Sequence, residues 1–120
     1  MKVKGLVWLG TRTSNLLEMV KFAKEVLGLS PWIDAQDFAV FDLPNGDRFE
    51  VFGPSDEDHK FMAGPVAGFL VENVQETRAE MEAKGVEFIG PVHTADDGNA
   101  WAHFRASDGH VYEITSHPSH

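Results

Sequence analysis

Two stretches decide the fold: Phe41-Asp42-Leu43-Pro44-Asn45-Gly46-Asp47-Arg48-Phe49-Glu50-Val51 and, 63 residues further on, Phe104-Arg105-Ala106-Ser107-Asp108-Gly109-His110-Val111-Tyr112-Glu113-Ile114. Aligned, they match aromatic, glycine, aromatic, glutamate and aliphatic residue in register. Each reads as a β-hairpin, because Asn45-Gly46 and Asp108-Gly109 accept positive φ cheaply and are flanked by β-branched and aromatic residues. A second similarity, at an offset of about 58, lays Asn15 and the helical pattern to Gly28 over Asn73 and the pattern to Gly85. The order of elements therefore repeats as well as the hairpin, which makes the chain two copies of one unit.

Outward from the hairpins, Val3 to about Thr11 reads as a strand with Leu6, Trp8 and Gly10 on one face and Val7 and Leu9 on the other. Ser14 or Asn15 caps a helix with the apolar stripe Leu16, Leu17, Val20, Ala23 and Leu27, stopped by Gly28. Trp32-Asp34, Asp37-Leu43 and Arg48-Phe52 follow as strands. Gly53 to Pro65, with Asp56-Glu57-Asp58, reads as a polar linker whose charge run is a solvated loop. In the second half Val66-Val71 is a strand, and Asn73 with Glu76 resembles a capping box opening a helix to Lys84, which Glu80 supports as an i,i+4 pair. Glu87-Ile89, Ala100-Arg105 and Val111-Thr115 complete the order, and Ser116-His120 is expected to fray. The fold class is thus α+β, one domain of two tandem βαβββ modules (about 1–54 and 65–116, linker 55–64). The modules are expected to form a partly closed, eight-stranded barrel-like sheet with helices outside and a pocket within.

Composition limits what such a domain can do. In 120 residues, 42% are apolar, and 10 basic against 19 acidic side chains leave a net charge of −9. A chain of this size removes roughly two thirds of its unfolded surface from water, so it needs no disulfide or structural metal. It has no cysteine, which excludes thiol chemistry and zinc-thiolate sites and fits a reducing, cytoplasmic setting. No window approaches the ~18 uninterrupted apolar residues of a membrane span, and the N-terminus does not read as a signal peptide. The acidic balance repels a phosphate backbone, so neither nucleic acid nor membrane is the expected partner. It favours a small organic ligand of cationic or amphipathic character. No phosphate-binding glycine loop, nucleophile elbow or His-x-x-x-His spacing is present.

The organisation, with Trp101-Ala102-His103-Phe104-Arg105-Ala106-Ser107-Asp108-Gly109-His110-Val111-Tyr112-Glu113-Ile114, resembles the vicinal oxygen chelate superfamily, which includes glyoxalase I, bleomycin-resistance proteins, fosfomycin-resistance enzymes and extradiol dioxygenases. Asn15 through Leu29 looks like the family's first helix with its terminal Leu-Gly-Leu, and Gly85-Val86-Glu87-Phe88 is similar to its second helix exit. The metal enzymes of that family use four side chains, one from the first and one from the last strand of each repeat. The resemblance carries the last-strand positions onto Glu50 and Glu113. It carries the first-strand positions onto Trp8 and Val66, neither of which can bind a metal, since an indole nitrogen only donates and valine has no lone pair. Within two positions of either lie no ligating side chains. The resemblance therefore implies no tight metal site and no cofactor, with a weak Mg²⁺ or Mn²⁺ on the two carboxylates as the remaining option. It also implies a homodimer.

Several residues then compete for function. Glu50 and Glu113 hold equivalent places, with Phe49, Val51, Tyr112 and Ile114 pointing the other way, so both belong to one face of the repeat. Two carboxylates in an apolar pocket cannot both ionise cheaply, which makes either a candidate general base or a seat for a cationic group. The competing reading ties each up in a hydrogen bond or turns it to water. His103 shares a face with Trp101 and Arg105 and is a ligand or proton carrier, or else a packed ring. Trp8, Trp32 and Trp101 are core or pocket wall, and Trp8 has the sharper reading of an indole standing where a metal would be, offering a flat face to a planar or cationic ligand. His59, His93, His110, His117 and His120 read as bystanders in loops, a turn and the tail, and Thr94-Asn99 as a loop that can serve as a lid. Two functions follow. One is a metal-independent small-molecule binder, with Trp8, Trp101 and His103 as ligand contacts. The other is a glyoxalase-like lyase or isomerase with Glu50 or Glu113 as base. A purely structural or regulatory partner ranks last.

Overall fold

A computed structural model describes residues 2–117. Eight strands and two helices follow in the order β1 (Gly5–Arg12), α1 (Leu16–Glu25), β2 (Pro31–Asp34), β3 (Phe38–Asp42), β4 (Arg48–Phe52), β5 (Val66–Leu70), α2 (Val74–Ala83), β6 (Glu87–Thr94), β7 (Ala100–Arg105) and β8 (Val111–Thr115). The architecture is α+β and each half is a βαβββ module. The described residues divide into two compact units, residues 8–66 and residues 2–7 with 67–117. The linker thus belongs with the first module, and the first residues of the chain with the second.

In the first unit the strands lie in the order β2-β3-β4-β1. Trp8–Arg12 of β1 runs parallel to β4, with Gly10 opposite Glu50, and β3 is antiparallel to β4, with Val40 opposite Glu50. The hairpin between β3 and β4 closes as its sequence dictates: Gly46 sits at φ 89° and its N–H donates to the Leu43 carbonyl at 2.9 Å. One face of the sheet, with Ala39, Phe41, Phe49 and Val51, packs on Val20 and Ala23 of α1. Asn15 caps that helix, its side-chain oxygen accepting the Glu18 N–H at 3.2 Å. The apolar stripe differs from expectation. Leu17 is 83% exposed and Leu27 51%, while Met19 and Leu29 pack against the core instead. Regular α-helix stops at Glu25, so Leu27 falls outside the 3.6-residue spacing.

The second unit repeats the plan in the order β5-β8-β7-β6, with β5 parallel to β8 and Gly68 opposite Glu113. Gly109 (φ 84°) turns the β7–β8 hairpin, and Asn73 accepts the Glu76 N–H at 2.8 Å to cap α2. Val71, Ala102, Phe104 and Ile114 form a core with Val74 and Met81 of α2. Strand β6 is longer than the sequence suggested. A register shift between Ile89 and His93 carries pairing past Gly90 and Pro91 to Thr94. His93 is consequently a strand residue rather than a loop residue, and Thr94-Asn99 is a tight hairpin turn closed by Ala95 N–H to Asn99 O at 2.8 Å, too short for a lid. His117 is buried and Ser116 donates to the Ala100 carbonyl, so the chain is packed through residue 117. His120 and the rest of the expected frayed tail lie outside the described residues.

Candidate functional site

In each module the face turned away from the helix carries the conspicuous polar groups. On the first, strand alternation puts Trp8, Gly10 and Arg12 of β1 beside Glu50 and Phe52 of β4 and Phe38 of β3. The Trp8 indole N–H donates to Glu50 Oε1 at 2.9 Å. Gly10 is what lets the ring lie there: a Cβ at that position would stand 2.2 Å from Trp8 Cη2 and 2.4 Å from Cζ2. Burial raises the Glu50 pKa, while the Trp8 hydrogen bond and the charges of Arg48 and His59 pull it back and Asp56 adds to the rise. Both Trp8 and Phe52 are buried with Met62 and Val66.

The linker adds to this face, which the sequence reading missed. His59 stacks on Phe52 with centroids 3.6 Å apart and planes at 14°. Asp56 Oδ1 meets the His59 Nδ1 at 2.9 Å and accepts its backbone N–H at 3.0 Å. Arg12 Nη2 donates to the Pro54 and Asp56 carbonyls, tying the linker to β1. Asp56 and His59 are therefore not part of a simple solvated loop. The available signal was the i,i+3 spacing of Asp56 and His59 beside Phe61-Met62, an apolar pair that a purely solvated loop has no reason to carry.

On the second module the equivalent face holds Trp101, His103, Glu113 and Thr115. His103 and Glu113 are directly opposite, both less than 5% exposed, with His103 Nε2 2.9 Å from Glu113 Oε1. Burial pulls the His103 pKa down to about 4. Desolvation disfavours the charged ring, so His103 is neutral at pH 7. His93 stacks on Trp101 at 5.6 Å and 17°. Trp32 is neither core nor pocket wall: it is 58% exposed, with the Arg48 guanidinium 4.6 Å from its ring centre.

At the first-strand position of module one stands an indole whose N–H engages the very carboxylate a metal would need, and at that of module two stands Val66, a buried aliphatic residue. Among the described residues no three His, Asp or Glu side chains converge on a common centre.

The chain belongs to the glyoxalase/bleomycin resistance protein/dioxygenase superfamily, whose model matches residues 5–114. No curated protein matches it. Among solved structures it is similar to the methylmalonyl-CoA epimerase of Streptomyces coelicolor in complex with 2-nitronate-propionyl-CoA (TM-score 0.74, 18% identity, 95% of this chain and 97% of that one). It is also similar to the methylmalonyl-CoA epimerase of Mycobacterium tuberculosis (TM-score 0.71, 16% identity, 94% and 87%). A chain described as the NAD-dependent benzaldehyde dehydrogenase of Legionella pneumophila aligns with TM-score 0.68 at 20% identity over 90% and 96%. At these identities the likeness defines a shared fold, and one fold hosts many chemistries.

Proposed function

We propose that the protein binds a small organic ligand through these faces without the superfamily's usual four-ligand divalent metal. The observation that carries this reading is the Trp8 indole donating to Glu50 from the position of a first-strand ligand. A carboxylate so engaged, in an aromatic setting, suits a cationic or planar ligand group better than a transition metal. Trp8 with Glu50, and Trp101 and His103 with Glu113, are the proposed contacts, and a hard cation is held weakly at most. The test is elemental analysis of untagged protein together with calorimetry against a panel of cationic aromatic compounds that includes bleomycin. Metal-poor protein that binds a member of the panel is the expected result. Stoichiometric zinc or nickel sinks the proposal, and so does a panel without heat.

One observation favours a second reading, a lyase or isomerase with Glu113 or Glu50 as base. His103 and Glu113 form a buried pair 2.9 Å apart, an arrangement able to accept and hold a proton. Glu113→Gln is then expected to abolish deuterium exchange into methylmalonyl-CoA and formation of lactoylglutathione. Exchange or turnover at the wild-type rate in that variant removes Glu113 from the mechanism. We further propose a cytoplasmic homodimer. The exposed Leu17, Phe22, Val26 and Leu27 of the first module support self-association, and light scattering that returns a monomer mass ends that part of the proposal.

A further inference from the structure

Where α2 ends in the second module and β7 turns toward β8, the surface is cut by a groove of about 500 Å³, within the range of small-molecule sites. Val86, Phe104 and Ala106 give it an apolar lining, and all three belong to or pack on the core of the module. Lys84, Arg105 and Ser107 also line it, with Glu87 as its one acidic residue.

The fold does not require these cations, and the duplicated unit shows it. Arg105 lies over Asp42 in the alignment of the two hairpins, and the residue before the glycine that ends each helix is Lys84 in the second module and Leu27 in the first. Module one thus builds the same helix exit and the same hairpin with no positive charge at either place. Lys84 is also unpaired. In a chain with nineteen acidic side chains it forms no ion pair among the described residues, not even with Glu80 four positions earlier, whereas most other basic side chains are matched to a carboxylate. A lysine at a helix C-terminus complements the helix dipole, but the dipole makes no demand for Arg105 on the same groove.

Arg105 shows what its guanidinium takes. Its Nε stands 3.4 Å from Glu87 Oε1, and its Nη1 donates to the Gly109 carbonyl at 2.8 Å. The Glu87 side chain is 70% exposed, and exposed pairs of this kind are weak, so an incoming carboxylate can displace it.

We propose that this groove binds small organic carboxylates with an apolar body, the carboxylate held by Lys84 and Arg105 in place of Glu87 and the body laid on Val86, Phe104 and Ala106. Two cations beside an apolar lining select a ligand that is anionic at one end and apolar at the other. The site shares no residue with the Trp8, Glu50, Trp101, His103 and Glu113 contacts, so the proposal goes beyond the ligand-binding reading above and does not depend on it.

The experiment is an amide NMR titration of the full chain with hexanoate, with hexanol, which lacks the charge, and with acetate, which lacks the body, in wild type, Lys84→Gln, Arg105→Gln and Glu87→Gln. Hexanoate should shift the amides of Val86, Ala106 and Ser107 and bind about tenfold more tightly than hexanol, the product of two exposed charge contacts of about threefold each. Acetate should bind more weakly than hexanoate. Lys84→Gln and Arg105→Gln should each lower hexanoate affinity about threefold and leave hexanol unchanged, and Glu87→Gln should raise hexanoate affinity about twofold because the competing carboxylate is gone. Dispersed amide spectra identify folded variants, and Lys84→Gln, at an exposed position, serves if Arg105→Gln does not fold. Equal affinity for hexanoate and hexanol, acetate as tight as hexanoate, shifts confined to other parts of the chain, undiminished affinity in folded Lys84→Gln, or affinity in Glu87→Gln no higher than in wild type each overturns the proposal. Absence of any shift with hexanoate overturns it as well and leaves the reading of the Trp8 and Glu50 face, which calorimetry with cationic compounds decides, as it stands.

Discussion

Trp8 reaches Glu50 across a residue that has no side chain, and the hydrogen bond exists only while Gly10 leaves that space open. Gly10→Ala sets a methyl within 2.4 Å of two indole carbons. The ring must rotate off Glu50 or the strand must shift. Overpacking of this kind costs about 1–3 kcal/mol. Urea unfolding should report a loss of that size, together with a change in tryptophan emission, and an alanine variant with unaltered stability and emission would show that the ring does not lie over Gly10. His103 gives a second residue-level expectation. Its folded pKa of about 4 lies below its ordinary value of 6.5, so the unfolded chain binds the extra proton. The stability contributed by the neutral buried ring is therefore complete above pH 6.5 and is lost as the pH falls toward 4, at roughly 1.4 kcal/mol per pH unit. His103→Gln should flatten that slope in thermal melts taken from pH 7 down to 4, and an identical slope in wild type and variant would contradict it.

At the scale of elements, the two helices are held by their first turns as much as by their apolar faces. Asn15 and Asn73 each accept the N–H three residues on, at 3.2 and 2.8 Å. Replacing either with alanine should lower stability by about 1 kcal/mol, and replacing both by about the sum, because the sites lie in different units. Chemical denaturation of the two single variants and the double variant measures this, and a cap variant as stable as wild type would remove that cap from the account. These caps, the paired hairpins and strands β4, β7 and β8 were legible in the sequence because each is a local matter of turn chemistry, capping and alternation. Strand β6 was not. Gly90 and Pro91 read as a terminator, yet the register shift absorbs them and the ladder resumes at His93. Leu17 and Leu27 misled for a related reason: leucine fits a helical stripe by type, and only packing against β3 and β4 reveals which face is covered.

For the molecule as a whole, net charge governs what approaches it. With ten basic residues against nineteen acidic, the protein should show no binding to a labelled DNA duplex even at 50 mM salt, a condition that strengthens phosphate contacts. Fluorescence anisotropy that rises on adding protein would refute this. The duplication is visible as sequence because both copies solve one problem, a four-stranded sheet with one helix over one face. The amino-acid order alone determined the repeat, the element types and the common face of Phe49, Val51, Tyr112 and Ile114 opposite the glutamates, since all of these depend on residue type and short-range spacing. Tertiary structure alone decided what each glutamate touches. The Trp8 bond to Glu50, the contact of His103 with Glu113 and the seat of His59 on Phe52 join residues from 7 to 42 positions apart, and such pairings arise from strand register and chain return, which no local pattern encodes.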